Sequence, residues 1–242
     1  MALSLPNFTV GGGSGLVSSF SSATFTSTTG DLLVCAVRIG GSTAATISTV
    51  QNANGQNLTL VPGSTYAQSN QAGAMYYIAG VTGRANDTVT VTLSTPLTFC
   101  SICVWDISGA DVSSPFDKFA TGNVLSGGKY TSGSYTTTSA NEIICSALII
   151  DAVNTTFGPD AGYTQDSTGY PVGAGLAYCG AEHKIVAAIQ TSVTTAMTLN
   201  TSPANGTILV ATFKAAPAVG GSTTCDILFE GRLYITRVVS GL

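Results

Sequence analysis

Few residues in this chain have the chemistry of a catalytic centre. The chain of 242 residues has one histidine, His183, in the polar run 181–184. Hydrolases of the Ser-His-Asp or Cys-His type place a histidine beside a nucleophile and an orienting acid. No Gly-x-Ser-x-Gly elbow or cysteine-protease signature accompanies it in the sequence. We therefore predict that His183 is a solvated turn residue and that the protein is not an enzyme.

A second candidate site is the loop over residues 153–173, which combines aromatic rings with carboxylates. Rings beside polar groups can stack on and hydrogen-bond a sugar, and oxygen ligands of this kind suit Ca²⁺. The alternative is a purely structural loop that packs on its own aromatic residues. We keep a glycan as an alternative ligand and predict no cofactor and no metal site. The candidate ligand residues are Phe157, Asp160, Tyr163, Asp166 and Tyr170.

Cys100 and Cys103 have the C-x-x-C spacing that elsewhere indicates metal or redox chemistry. They lie in an apolar, strand-like run, and residues three apart on a strand point to opposite faces. No second Cys or His pair follows at zinc spacing. Cys35 and Cys145 also lie in apolar runs, so all four are predicted to be unpaired, buried thiols.

The composition is short of charge: 8% of the residues are charged, against roughly 25% in an ordinary soluble domain. The net charge is −4, and the Lys and Arg residues are scattered, so no basic stripe could neutralise successive phosphates. This excludes nucleic acid as a partner. A surface of Ser, Thr, Asn, Gln and Gly loses little solvation free energy when another subunit covers it.

Membrane and export signals are missing from the sequence. The longest apolar run, 143–153, is interrupted by Ser146 and Asp151 and is shorter than the roughly 18 residues needed to span a bilayer. The first eight residues have neither a basic region nor a continuous apolar one, so we predict no signal peptide and no membrane partner.

Strand signals recur along the whole chain, separated by clusters of Gly, Asn, Ser and Pro. The segment 87–93 alternates strictly, as in a half-exposed strand. The runs 32–37 and 143–150 are almost continuously apolar, as expected for central strands of a two-layer core. The fold is therefore predicted to be all-β, a jelly-roll-like antiparallel β-sandwich.

The two halves of the chain resemble each other, which suggests an internal duplication. We expect the two copies to contribute intertwined strands to one sandwich. Three pairs of segments match in the same order: 29–37 with 140–148, 72–77 with 172–178, and 102–107 with 208–213.

The chain divides into a flexible, glycine-rich N-terminal arm (1–14), a β-sandwich body (15–214), a linker (215–225) and a C-terminal β-hairpin arm (226–242). A hairpin alone is marginal in water, so this one should dock on its own body or on a neighbour. We predict a homo-oligomer, with a trimer favoured. The candidate assembly contacts are Ile227, Phe229, Leu233, Ile235, Arg232 and Arg237.

Four phrases together resemble a β-sandwich domain found in tailed-phage virion proteins and bacterial surface proteins; they are residues 29–34, 86–93, 104–111 and 140–144. The resemblance covers residues 15–214 and carries no catalytic residue to transfer. It implies a structural or adhesive role, as in capsid decoration (cement) proteins, tail fibres or sugar-binding surface modules.

Two sequence features point to different compartments. The uncharged polar surface is of the extracellular type, whereas the predicted free thiols and the lack of an export signal are typical of a protein that folds in the cytoplasm. A virion protein is consistent with both, since it folds in the reducing host cytoplasm and meets the outside only after lysis. We therefore expect a phage capsid decoration protein that contacts copies of itself and a major capsid or other virion protein. The alternative is a carbohydrate-binding adhesin or tail-fibre module, located outside the cell or on its surface.

Overall fold

The computed structural model describes residues 2–40, 45–68, 71–150, 156–167, 178–200, 205–218, 225–229 and 232–236. All regular elements in these ranges are β-strands, which confirms the all-β prediction. Over the same ranges there is no helix with the length and apolarity to cross a membrane.

The first half of the chain (residues 2–110) forms one main sheet with the strand order β1-β9-β3-β7-β5, in which β4 also pairs with β9 and β6 with β7. Strands β2 and β8 pair separately. The strands are β1 (Ser4–Ser21), β2 (Phe25–Ser27), β3 (Leu32–Gly40), β4 (Ile47–Asn52), β5 (Thr59–Leu60), β6 (Tyr66–Gln68), β7 (Gln71–Ala79), β8 (Arg84–Asp87) and β9 (Val89–Ser108).

The second half (residues 113–218) forms another main sheet, with the order β10-β18-β13-β16-β15, and a small sheet with the order β11-β12-β17-β14. The strands are β10 (Phe116–Gly122), β11 (Leu125–Ser126), β12 (Lys129–Thr131), β13 (Glu142–Ile150), β14 (Phe157–Gly158), β15 (Thr164–Ser167), β16 (Tyr178–Val186), β17 (Ala196–Leu199) and β18 (Gly206–Lys214).

The two main sheets pack face to face and share one apolar core. Alternate residues of β3, such as Leu32 and Val34, meet alternate residues of β13, such as Ile143 and Cys145. The intervening positions of both strands are buried as well, in two outer cores. Burial on both faces explains why these two runs are continuously apolar, and it confirms their predicted central positions.

The register of the strands confirms the internal duplication. Leu32 lies opposite Ile107 in the first half, and Ile143 lies opposite Phe213 in the second. The sequence match of 29–37 with 140–148 makes Leu32 equivalent to Ile143. The match of 102–107 with 208–213 makes Ile107 equivalent to Phe213, so the paired residues are equivalent in the two halves. The duplication therefore extends from sequence to strand pairing.

The turn that leads into each central strand is also repeated. The backbone N–H of Thr28 donates to Oδ2 of Asp31, and that of Ser139 donates to Oε1 of Glu142. Asp31 and Glu142 are both buried. The polar residue that begins each apolar run therefore has a local structural role, which is to fix the turn before the strand.

A third repeated feature lies where β1 approaches residues 21–22 and where β10 approaches residues 131–132. Oγ of Ser22 accepts the N–H of Val89, and Oγ of Ser132 accepts the N–H of Thr195, both at 3.0 Å. The matching glycines are Gly11 and Gly122, where a Cβ would overlap the backbone of residues 21–22 and 131–132. Glycine is required at these two positions because the backbones are so close.

Two details of the predicted duplication are wrong. The copies do not intertwine, since every strand of each main sheet comes from one half. The match of 72–77 with 172–178 is out of register, because the pairing makes Ala72 equivalent to Tyr178 and Tyr77 equivalent to His183. Residues 172–177 themselves lie outside the described residues. A short apolar match in a β-protein does not fix register.

The predicted flexible arm is wrong for residues 4–14, which belong to β1 and pair with β9 from Ser4 onward. Asn7 lies opposite Asp106, and Gly11 opposite Ile102. The glycine-rich composition indicates flexibility, but here it allows close backbone packing within the first half.

The C-terminal hairpin is confirmed as β19 (Cys225–Phe229) and β20 (Arg232–Thr236), which pair directly with Phe229 opposite Arg232. The predicted linker starts later than 215, because the backbone N–H groups of Ala215 and Ala216 donate to carbonyls of the body, those of Asn141 and Gly109.

Candidate functional sites

Two aromatic residues of the candidate ligand loop, Phe157 and Tyr163, make contacts within the protein. Phe157 is buried, and its ring lies directly on Gly180, where a Cβ would come within 2.7 Å of a ring atom. The hydroxyl of Tyr163 bonds that of Thr195 at 2.7 Å. Tyr170 lies outside the described residues. The described part of the loop, residues 156–167, therefore packs on its own half of the protein, as the alternative interpretation states.

Asp160 holds this loop to the second half. Its backbone N–H donates to Oε2 of Glu182 at 2.7 Å, and its Oδ2 accepts the N–H of Ala196 at 2.9 Å. The carboxylate is therefore engaged by backbone donors, as in a loop cap.

The carboxylate of Asp166 contacts one residue from each half of the chain. Its Oδ2 accepts a hydrogen bond from Nε1 of Trp105 at 2.8 Å, and its Oδ1 lies 2.8 Å from Nδ1 of His183. The side chain of Asp166 is 5% exposed and that of His183 15%. The prediction of a solvated turn histidine is wrong: His183 lies in β16, where it bonds the acid beside it.

Sequence reasoning missed this arrangement, although one signal was present. Trp105 is the only tryptophan of the chain and stands in an apolar strand. A buried indole N–H needs an acceptor, so a polar partner on the facing sheet could have been expected. Nothing in the spacing identified Asp166 as that partner.

Cys145, His183 and Asp166 have the residue types of a nucleophilic triad, and Cys145 lies opposite His183 in the β13–β16 pair. Cys145 is, however, fully buried. Burial raises the pKa of its thiol well above the ordinary value, and the nearby Asp166 raises it further. The reactive form of cysteine is the thiolate, so this arrangement is suited to packing.

The cysteines predicted to be unpaired are free and buried, together with Cys179. Cys100 belongs to the outer core of the first half, and Cys103 belongs to the core between the sheets. The C-x-x-C pair therefore points to opposite faces of β9, as predicted from strand geometry.

Three buried carboxyl groups have raised pKa values. Burial raises the pKa of Asp106 to about 7, and the Asp31 carboxyl beside it raises it further. Burial also raises the pKa of Glu142 to about 7 and that of Glu182 to about 8. A buried acid that keeps its proton avoids the cost of an unpaired charge.

In the ranges that the structure describes, His, Cys, Asp and Glu side chains form no group of three or more that could hold a metal ion.

Most of the candidate assembly contacts lie on the hairpin. Ile227 is opposite Tyr234 and Leu233 is opposite Leu228, so the apolar positions fall in both alternating rows of the hairpin. Ile235 lies opposite Asp226. Phe229 and Arg232 are paired beside the turn, and Arg237 lies outside the described residues. That these residues join subunits remains a prediction.

No family model matches the chain, and no curated protein matches it significantly. One solved structure to which the chain is similar comes from Red Clover Necrotic Mosaic Virus. The identity is 9%, the match covers 76% of this chain and 74% of that chain, and the TM-score is 0.23. A likeness at this TM-score carries no argument about function.

Proposed function

We propose that the chain is a non-enzymatic structural protein of a virus particle, of the phage capsid decoration type. The observation that carries this proposal is the placement of charge. Of the 8 Lys and Arg and 12 Asp and Glu residues, six are buried in the described body: Asp31, Arg38, Asp87, Asp106, Glu142 and Glu182. At most 14 charged residues are therefore left for the outer surface, which is mainly uncharged and polar.

An uncharged polar surface favours assembly. Covering it with another subunit removes few charges from water, and desolvation of charge is the main penalty in such contacts. Such a surface supports contacts with copies of the same chain and with a major capsid protein.

The thiols support the proposed place of folding. Five free cysteines are buried in the body, and a protein that folds in an oxidising compartment commonly pairs its cysteines. Folding in a reducing host cytoplasm and exposure after lysis agree with this state.

The hairpin supports a role in joining subunits, because two strands without a third are marginal in water. Strand addition to the exposed sheet edge of a neighbour would satisfy its backbone and cover that edge.

The proposal is tested by purifying virus particles on a density gradient, from cells infected with a virus whose genome encodes the chain. We expect the full chain to sediment with the particles and to appear in repeated positions on their surface by electron microscopy. A matched chain that ends at residue 218 keeps the body but lacks the hairpin. A smaller fraction of this truncated chain should sediment with the particles. Finding the full chain only in the particle-free fraction would refute the structural role.

A further inference from the structure

The outer face of the first half carries an open groove of about 350 Å³. It runs along the exposed side of β7, between the start of β4 and the strands β5 and β6. Its floor includes Ile39 and Ala74, which are buried. Its walls include Ile47, Tyr66 and Tyr76.

The second half has an equivalent place, and there it is filled. Strand pairing makes Phe157 equivalent to Ile47, since these residues lie opposite Leu199 and Leu93 at matching positions. Gly180 is equivalent to Ala74 by the same reasoning. In the second half the large ring of Phe157 lies on Gly180.

A further contact closes the second half at this place. Gln165, which is equivalent to Leu60, donates from Nε2 to the carbonyl oxygen of Phe157 at 2.5 Å. The first half has no such polar bridge available, because Leu60 cannot donate, and its side chain is 38% exposed at the rim. Among the described residues, Phe157 and Gln165 of the second half thus occupy the space that is open in the first half.

The contrast shows that the fold does not require the opening. The same architecture places the ring of Phe157 over Gly180 in one copy and the smaller Ile47 beside Ala74 in the other. An unfilled apolar groove forgoes packing contacts, so the open copy lacks a stabilisation that its sister copy has.

We propose that this groove binds a neutral saccharide. None of the lining residues that the structure describes is charged, so a charged ligand would be desolvated without a compensating partner. The tyrosine rings offer apolar faces, and the exposed residues Thr46 and Thr65 add hydroxyl groups to the lining. Apolar walls with a few hydroxyl groups match a ligand whose own faces are apolar and whose edge carries hydroxyls.

The size agrees with a short saccharide, because ligand pockets begin at roughly 300 Å³. The proposal is independent of the structural role proposed above, since a particle protein and a soluble lectin could both carry the groove.

The test uses the full chain on an array of neutral mono- and oligosaccharides, followed by calorimetric titration of the best binder. The decisive variant, Ile47→Phe with Ala74→Gly, introduces the residue types that the second half has at positions 157 and 180. It should fold as well as the parent. We expect it to weaken binding at least tenfold. Tyr76→Ala should also weaken binding, whereas Leu16→Ala, on an exposed residue outside the groove, should leave it unchanged.

Three outcomes overturn the proposal. In the first the parent chain binds no neutral saccharide, and in the second the filled variant binds a saccharide as tightly as the parent. In the third outcome the filled variant has a different oligomeric mass from the parent and saccharide does not change the mass of the parent, which would make the groove an interface between copies. Loss of particle association with saccharide binding intact would affect only the structural role.

Discussion

Trp105 and Asp166 connect the two halves of the molecule: Nε1 of the indole on β9 donates to Oδ2 of the carboxylate on β15 at 2.8 Å. Trp105 is completely buried, and it belongs to the core between the main sheets. Most of that core is close-packed apolar contact. Among the described residues, two side-chain hydrogen bonds cross it, the Trp105–Asp166 bond and a longer one of 3.5 Å from Sγ of Cys103 to the carbonyl oxygen of Cys179. The Trp105–Asp166 bond is the shorter of the two and has a carboxylate as its acceptor, so it contributes direction to the contact between the sheets.

Replacing Asp166 with Ala should therefore destabilise the whole body. The change leaves the indole N–H of Trp105 buried without an acceptor, and an unsatisfied buried donor costs about 1–3 kcal/mol. It also removes the partner of His183. Urea unfolding followed by tryptophan fluorescence measures the difference.

Asp111→Ala is the matched control, because it also removes a carboxylate but from an exposed turn. Its effect should be smaller, because the exposed N–H groups of Ser113 and Ser114 that lose their acceptor can bond water instead. Equal losses for the two variants would contradict a special role for the Trp105–Asp166 bond.

The stability of the fold should decrease as the pH rises from about 5 to 9. Asp106 and Glu182 have folded-state pKa values raised to about 7 and about 8, above the ordinary range near 4 of an unfolded chain. A raised carboxyl pKa contributes stability that is complete below the unfolded value and is lost as the pH passes the folded value. Thermal unfolding at pH 5, 7 and 9 measures this slope.

The variants Asp106→Asn and Glu182→Gln imitate the protonated acids and should flatten the slope. The opposite sign applies to Asp111, whose pKa is lowered by hydrogen bonds from Ser113, so its contribution is lost only in strong acid. A melting temperature that increases between pH 5 and 9 would show that the buried acids are ionised without penalty.

The buried thiols should resist alkylation in the folded protein. Cys35, Cys103 and Cys145 are fully buried, and burial raises the pKa of each thiol. In a Cys225→Ser background, iodoacetamide should leave the native protein unlabelled and label it fully after denaturation. Mass spectrometry gives the count. Rapid native labelling of Cys145 would instead support a reactive Cys145–His183 pair and thereby question the proposal that the protein is not an enzyme.

The features that the sequence predicted well are those set by local pattern. Continuous apolar runs indicated the central strands β3 and β13, and their ungapped match indicated the duplication. Alternation around residues 230–231 indicated the C-terminal hairpin. In each case the signal lies within a short window, where strand periodicity and turn residues are directly readable.

The features that it predicted poorly depend on contacts between distant segments. The run at Gly11 has the composition of a flexible arm, and the approach of residues 21–22 explains the glycine at position 11. His183 looked solvated because its neighbours Glu182 and Lys184 are charged. In the fold, Glu182 is buried and His183 meets Asp166. The open groove beside Tyr76 became recognisable only by comparing the two halves in space.

Removal of the hairpin should abolish self-association while leaving the body folded. The chain should be cut after residue 218, because Ala215 and Ala216 still bond the body through their backbone N–H groups. We expect the full chain to form an oligomer, with a trimer favoured, and the truncated chain to be a monomer with an unchanged melting temperature. Light scattering coupled to gel filtration measures both masses. Leu233→Asp should weaken the oligomer in the full chain, since it replaces an apolar residue of the hairpin with a charged one, whereas Thr236→Ser should not. A truncated chain that keeps the mass of the full oligomer would locate the joint on the body instead, and the uncharged sheet surfaces would then be the next place to examine.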